Sequence, residues 1–218
     1  MTGFTKAQCS AYGAPWAIHF FMISISRAES GLPSFGGGMI SSGSVEVMRF
    51  ITGRGRSREQ VLESHAGRMA LGSQVDGLGF WMAFGSAAGA SLDTTPPTAE
   101  EDGEFVGLMM LPPAHGPDQP DDPTVSDLGY RIVRRFWRMG VASEASRALL
   151  RHAFDTVGQS RVIAQTMTVN AGSRGVMEAL GLRYVRTYLP PPDDDPVPGA
   201  DLGEVEYEMT REMWESAR

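Results

Sequence analysis

The sequence predicts an α/β domain of the α+β kind, with a mixed central sheet that is mostly antiparallel and flanked by helices. Three observations support this prediction. Three β-prone runs follow one another, separated by loops rich in proline and acidic residues. The third run leads into a glycine-bearing turn that opens an amphipathic helix. A further β-branched run follows that helix, which indicates a parallel pair of strands with a right-handed crossover.

Composition narrows the class of protein. The chain has 218 residues, enough for one large domain with its own core. Its formal net charge of −7 argues against a nucleic-acid-binding domain, because phosphate recognition needs a basic face. The single cysteine, Cys9, excludes an intramolecular disulfide framework and a cysteine-based zinc cluster, and it favours a reducing, cytoplasmic location. The apolar run at residues 18–26 is far shorter than the ~20 residues that span a bilayer, so no membrane segment is expected.

The N-terminal segment, residues 1–44, is atypical. Residues 27–44 are rich in glycine and serine, which lowers helix and strand propensity together. Only residues 18–25 have the composition of a strand. We expect a poorly ordered segment over residues 1–44 and a folded domain over residues 45–218. A mis-assigned translation start is a second interpretation of the same composition.

The first long helix has a clear start. Ser57 and Gln60 have the spacing of a capping box. Apolar residues and one histidine then recur at helical spacing, which predicts about four turns with this face turned to the core. The residues of the predicted face are Val61, Leu62, His65, Ala66, Met69 and Ala70.

Three strands precede the glycine-bearing turn. Residues 79–85 and 104–111 are aromatic or apolar runs, predicted as antiparallel strands. The loop between them, residues 86–103, contains prolines and acidic residues and is expected to be solvated. A second proline-aspartate loop, residues 112–123, leads into the third strand at residues 124–133.

The turn itself has the composition of an anion-binding loop. Gly140 allows the backbone to approach a bulky ligand, and Ala142 and Ser143 keep the first helical turn open. The first N–H groups of a helix have no partner inside the helix, and they lie at the positive end of the helix dipole. A helix predicted over residues 142–157 therefore begins with a cradle suited to a phosphate group.

The rest of the chain continues the alternation. A strand is predicted at residues 161–167, and the next helix begins at the N-cap Asn170 and ends at Gly181. Strands at residues 182–189 and 204–210 follow, joined by a proline-rich loop. Trp214 is expected to anchor the C-terminus.

Taken in order, these segments resemble the GNAT N-acetyltransferases, and specifically the branch that includes the RimJ/RimL-type ribosomal-protein acetyltransferases. The resemblance covers roughly residues 45–214, and the short first strand and helix of that branch are not found in residues 1–44. It implies the GNAT fold, in which the sheet splays around acetyl-CoA. The motifs that carry it are Gly129-Tyr130, Arg138-Met139-Gly140-Val141-Ala142, Asn170-Ala171-Gly172-Ser173 and Leu180-Gly181-Leu182.

The resemblance also implies a cosubstrate site. The strand before the turn would pair with the pantetheine arm through Ile132 and Val133, and one of their N–H groups would stabilise the oxyanion. Asn170 and Ser173 would complete the site. The residues expected to bind the pyrophosphate are Arg138, Met139, Gly140, Val141, Ala142 and Ser143.

The catalytic groups are less certain from sequence. The tyrosine that many GNAT enzymes use as general acid falls on Met177, which leaves Ser173 or a water as the candidate acid. Ser173 can equally serve only to bind the pantetheine. For the general base the candidates are Glu104, at the start of a central strand, and a chain of waters.

The expected function is transfer of acetyl from acetyl-CoA to a primary amine, either a small molecule or a protein N-terminus, by direct attack in a ternary complex. No metal, nucleic-acid or membrane partner is expected, and the protein is expected to be a monomer or homodimer. The alternative is a non-catalytic acyl-CoA-binding protein of the same fold. The acceptor itself is not identified, because acceptor grooves are built from loops.

Overall fold

A computed structural model describes residues 6–8, 16–22, 42–87, 104–116, 118–119, 121–191 and 196–218. These residues form two sheets with helices packed against them. The strands are β1 Lys6–Gln8, β2 Trp16–Met22, β3 Gly79–Ala87, β4 Glu104–Leu111, β5 Val125–Asp127, β6 Gly129–Ile132, β7 Arg161–Met167, β8 Arg183–Tyr188 and β9 Glu204–Thr210. The α-helices are α1 Val45–Met48, α2 Arg58–Gly72, α3 Val141–Arg151, α4 Ala171–Ala179 and α5 Arg211–Ser216.

The two sheets confirm the predicted mixed architecture. The first sheet is antiparallel in the order β1-β2-β3-β4-β6, and the second has the order β5-β7-β9-β8. Among the described strands, only the pairing of β5 with β7 is parallel, as the strand-helix-strand spacing predicted. The sheets meet because β5 and β6 belong to one extended segment that is interrupted at Leu128.

Helix α3 connects β6 to the second sheet and packs on the core. Its apolar row is buried as predicted, with Ala145 and Leu149 almost fully covered. The helix continues through a π-helical turn, His152–Val157, and ends at Gly158, whose φ of 87° is left-handed. His152 is buried, and its Nε2 donates a hydrogen bond to the Gly77 carbonyl at 2.7 Å, which is a structural role.

The C-terminus is anchored by Trp214. Its indole stacks on Phe154 with ring centroids 5.4 Å apart, and its Nε1 donates to the Asp155 carboxylate at 3.0 Å. Helix α5 therefore packs against the π-helical turn.

Helix α2 corrects one prediction. The capping box of Ser57 and Gln60 is present, but only Val61 of the predicted apolar face is buried. Leu62 is 45% exposed, and Ala66 is exposed too. The face turned toward the sheet instead carries Ser64 and Arg68, because it borders a cavity rather than the core.

The N-terminal segment contributes β1 and β2 to the first sheet. Strand β2 overlaps the β-prone run at residues 18–25 and pairs with β3 along its whole length. The rest of residues 1–41, and most of the loop predicted at residues 86–103, lie outside the described residues. The order of residues 1–44 as a whole stays a prediction. Among the helices that are described, none has both the length and the apolar character to cross a membrane.

Candidate active site

The site is organised by the interruption between β5 and β6. The Asp127 N–H donates to the Pro112 carbonyl at 2.9 Å, and the Leu128 N–H donates to the Ile163 carbonyl at 2.8 Å. From Gly129 onward the segment pairs with β4 instead of β7. Among the described residues no hydrogen bond joins β6 to β7, so a wedge opens between these two strands. Leu128, 2% exposed, closes its narrow end.

The cradle predicted at the helix start lies at the mouth of this wedge. Arg138 has φ of 62° and Gly140 has φ of 78°, two left-handed positions in one turn. A Cβ on Gly140 would meet no atom within 4 Å, so the space above it is open. No N–H from Arg138 to Ser143 donates to a carbonyl of the described backbone, and the first helical bond is Glu144 N–H to Gly140 at 3.0 Å. These groups can hold a phosphate.

Two contacts hold the cradle against β6. The Trp137 indole donates to the Ile132 carbonyl at 2.7 Å. The Arg134 guanidinium lies 4.8 Å from the centre of the Trp137 ring. Buried Phe136 and Val141 on either side of the turn fix it to the core.

The backbone of β6 distinguishes the two predicted pantetheine-pairing residues. The Val133 N–H donates to the Val106 carbonyl of β4 at 2.9 Å. Because N–H groups alternate between the two edges of a strand, those of Tyr130 and Ile132 point into the wedge. Ile132 is therefore placed to donate to a ligand, whereas the Val133 N–H already has a partner.

Ser173 and Asn170 lie across the wedge from β6. The Asn170 side chain caps helix α4 by accepting from the Ser173 N–H at 3.2 Å. The Ser173 hydroxyl is 2.9 Å from the Tyr130 hydroxyl, which also donates to the Ser173 carbonyl at 3.1 Å. Burial raises the pKa of Tyr130 to about 12, so this phenol is protonated at neutral pH. Met177, at the family's tyrosine position, is a core residue 1% exposed.

Glu104 is not brought to the wedge. Its carboxylate pairs with Arg135 at 2.5 Å, and its side chain is 46% exposed. It begins β4, whereas Met110, near the other end, pairs with Gly129. Six residues of strand span about 20 Å, so Glu104 lies far from the Gly129 end of the wedge.

A different carboxylate occupies that end of the wedge. Asp127 lies in the interrupted segment, two residues before Gly129, and lines a cavity of about 560 Å³ under α2. Burial raises its pKa to about 6; His115 opposes this, and Glu206 and Glu204 add to it. Asp127 does not stand out in the sequence, because an aspartate between a proline loop and a strand is typical of turns. The sequence feature that points to Asp127 is its position two residues before the family motif Gly129-Tyr130.

The same cavity contains three arginines. Arg131 follows Gly129 on the same side of β6, Arg68 comes from α2, and Arg56 precedes that helix. Burial lowers the pKa of Arg131 to about 10, and the positive charges of Arg68 and Arg56 lower it further. We call the side of the wedge that faces this cavity the acceptor side. It has the Asp127 carboxylate at one end and the cationic arginine cluster at the other.

Comparisons with known proteins agree with this geometry. Residues 40–183 match the acetyltransferase (GNAT) domain family, which is more than half of the chain. An Aspergillus fumigatus protein named FsC-acetyl coenzyme A-N(2)-transacetylase is 34% identical over 172 residues, 78% of this chain and 66% of that protein. The chain therefore spans just under two thirds of that relative's length.

Solved structures share the fold at low identity. A GNAT-family acetyltransferase from Bacillus anthracis superposes with a TM-score of 0.61 at 16% identity, covering 95% of this chain and 99% of that one. The aminoglycoside acetyltransferase AAC(6')-Ib in complex with coenzyme A gives a TM-score of 0.62 at 16% identity, with coverage of 85% and 94%. These similarities confirm the predicted fold. By its family match, the chain belongs to the GNAT acetyltransferases.

Proposed function

We propose that this protein transfers the acetyl group of acetyl-CoA to a primary amine by direct attack in a ternary complex. The observation that carries the proposal is the anion cradle, with its two left-handed positions, at the mouth of a wedge between β6 and β7. The N(2)-transacetylase name of the fungal relative supports the same chemistry.

The residues fit acetyl-CoA. The N–H groups from Arg138 to Ser143 would hold the pyrophosphate, and the open space at Gly140 leaves room for it. The amide groups of the pantetheine arm would pair with the free edge of β6, leading the thioester toward Tyr130 and Gly129. Asn170 would act by fixing the turn that presents Ser173.

The reaction needs a neutral amine and a stabilised oxyanion. The amine nitrogen bonds to the thioester carbonyl carbon, the carbon–sulfur bond breaks, and CoA leaves as a thiolate that takes up a proton. The Tyr130 N–H, which faces the wedge at the end nearer Asp127, would donate to the carbonyl oxygen as it becomes negative, and the Ile132 N–H would pair with the pantetheine arm. Because the Tyr130 hydroxyl donates to the Ser173 carbonyl, the Ser173 hydroxyl beside it would donate to the departing sulfur.

We assign the proton acceptor to Asp127 in preference to Glu104. A base works best when its pKa is near the working pH, and the half-buried Asp127 carboxyl, with a pKa raised to about 6, meets that condition. Glu104 is exposed and paired with Arg135.

The alternative is an acyl-CoA-binding protein without turnover. The core position of Met177, where many family members have a catalytic tyrosine, favours it. CoA binding together with no acetyl transfer to any amine of a broad panel would support this alternative.

The test of the proposal is Gly140→Asp, with Gly158→Asp as a matched control. Both glycines have a left-handed φ, 78° and 87°, and open surroundings, so the backbone strain of the two substitutions is similar. Only the first places a carboxylate where the pyrophosphate would sit. We expect Gly140→Asp to weaken CoA binding at least about 100-fold in isothermal titration, because the negative aspartate side chain would repel the negative pyrophosphate. Equal affinities in the two variants would contradict the placement.

A further inference from the structure

The cavity under α2 has features that acetyl-CoA binding does not explain. It lies on the acceptor side of β6, and its walls come from α2 and from β3, β4 and β6. Its volume is about 560 Å³, the size of a site for a small molecule. Asp127, Gly129 and Arg131 alternate along the interrupted segment and line the same wall.

Among the described residues, the three arginines of this cavity have no acidic partner. Arg131 Nη1 donates to the buried Ser42 hydroxyl at 3.2 Å, and Arg68 Nε donates to the Ser64 carbonyl at 3.1 Å. Arg56 donates to the Ser64 hydroxyl. Arg68 Nη2 and Arg131 Nε are buried without a hydrogen-bond partner. In the described part of the chain none of the three takes part in an ion pair.

Such a cluster is unfavourable without a ligand. Guanidinium groups stay charged at neutral pH, and burying like charges together costs desolvation and repulsion. Burial, with the charge of Arg56, lowers the pKa of Arg68 as it does that of Arg131. The chain carries a net charge of −7, so acidic residues were abundant enough to pair these arginines. An anion supplied from outside would satisfy all three.

We propose that the acceptor is a primary amine that also carries a carboxylate or another small oxyanion, and that Arg56, Arg68 and Arg131 bind this anionic group. This inference rests on the proposed acetyl transfer and names the class of acceptor for that site. The planar guanidinium fork matches the two oxygens of a carboxylate. The acceptor would lie along the wall with its amine toward Asp127 and its anion toward Arg131.

The strand geometry sets the approximate length of this acceptor. Four residues separate Asp127 from Arg131, which is about 13 Å between Cα atoms in an extended strand. The side chains of both residues reach into the cavity and shorten that span. An amine and an anion separated by several bonds therefore fit better than a compact α-amino acid. A macromolecular N-terminus offers no anion at a fixed distance, so the observations favour a small molecule.

The test compares acceptors that differ only in charge. The panel is a series of ω-amino acids, from glycine to 6-aminohexanoate, each with its primary amide and with an aminoalkylphosphonate of matched length. We expect the wild-type kcat/KM to be at least tenfold higher for the best acid than for its amide. The phosphonates show whether the cluster prefers a carboxylate or a phosphate-like anion.

The variant is Arg68→Gln, and the matched control is Arg183→Gln. Arg183 is also an arginine with a contact to a neighbouring residue, but it pairs with Glu208 on the second sheet, away from the cavity. We expect Arg68→Gln to reduce the acid-to-amide ratio at least tenfold, through a higher KM for the acid, and Arg183→Gln to keep it. Acids and amides that serve equally well in the wild type would overturn the inference, as would equal ratios in the two variants.

A binding measurement separates this inference from the proposed function. The acids and amides are titrated into the CoA-saturated full-length protein, which reports the anion preference without turnover. Tight CoA binding with no preference for acids contradicts the inference alone. If CoA itself does not bind, the proposed function fails, and the same titration without CoA still decides whether the arginines bind an anion.

Discussion

Two groups of arginines in this protein differ in whether a carboxylate of the described chain neutralises their charge. On the second sheet, Arg186 pairs with Glu206 at 3.1 Å, and Arg183 pairs with Glu208 at 2.5 Å. In the cavity, the hydrogen-bond partners of Arg68 and Arg131 within the described part of the chain are a carbonyl and a hydroxyl group. The arginines of the first group form ion pairs within the fold, so their role is structural. The arginines of the second group have neutral partners, which is the arrangement expected where a ligand supplies the negative charge.

The strongest test of the structural group is Glu206→Ala. The Glu206 carboxylate accepts hydrogen bonds from Gln119 at 3.0 Å, from Gln165 at 2.9 Å and from Arg186 at 3.1 Å. Its loss leaves three donors unpaired, so we expect destabilisation of about 2–4 kcal/mol in urea unfolding. A change below about 0.5 kcal/mol would show that these pairs contribute little and would weaken the contrast with the cavity.

Glu206 also predicts an acid limit to stability. Burial alone would raise its pKa, but the hydrogen bonds from Gln165, Arg186 and Gln119 hold the pKa below its ordinary value. A carboxyl with a depressed folded-state pKa stabilises above its unfolded pKa and loses this contribution as pH falls. The effect of Glu206→Ala should therefore shrink as the pH is lowered below about 4.5, the ordinary pKa of the group.

The variant Asp127→Asn tests the electrostatic coupling between the cavity and the second sheet. Asp127 shares the cavity with the arginines, yet its raised pKa of about 6 is due in part to Glu206 and Glu204 of the second sheet. Because the folded protein holds this proton more tightly than the unfolded chain, stability should fall as pH rises from about 4 to about 6. Asparagine removes that loss, so we expect the variant to be more stable at pH 7 by about 3 kcal/mol.

The same variant should lose activity. In the wild type, kcat/KM should rise with pH through about 6 as Asp127 ionises. In Asp127→Asn it should be lower by about 100-fold, the usual contribution of a general base. An unchanged pH profile would transfer the role to a water or to another carboxylate. Glu104→Gln is the control, and its activity should stay close to that of the wild type.

The smallest effects are the stability changes of the two arginine variants used above. Arg183 is 67% exposed, so its loss should cost only about 0.2–1 kcal/mol. Arg68→Gln should act in the opposite direction and raise stability by up to about 1 kcal/mol, because it relieves repulsion among buried charges. Thermal unfolding of both proteins without ligand gives the comparison, and destabilisation by Arg68→Gln would show that the cluster is structural.

The strands and the cradle could be predicted from the sequence because local features determine them. Aromatic and β-branched runs formed β3, β4 and β7, and Gly140 sits in the left-handed conformation that favours glycine. The acceptor side could not be predicted in the same way. At Leu128 the segment changes its pairing from β7 to β4. This change depends on how β4 and β7 diverge in space, so no local sequence pattern predicts it.

The errors on the acceptor side have the same physical cause. The apolar residues of α2 suggested a core-facing helix, but Leu62 is exposed and Arg68 lines a cavity. Glu104 was a plausible base only while its distance from the wedge was unknown. Asp127 and Arg131, four residues apart, become partners in one site only once the segment is placed against α2.

The wedge has a consequence for how this protein must be handled. The facing edges of β6 and β7 present backbone groups with no strand between them, which is the arrangement that natural sheets usually protect against pairing with other chains. The Tyr130 to Ser173 hydrogen bond links β6 to helix α4 and leaves the backbone groups of these edges free. A ligand whose amides occupy this edge would act as a substitute strand. Protein kept without such a ligand should therefore self-associate more readily, and CoA in the buffer should act as an anti-aggregation agent.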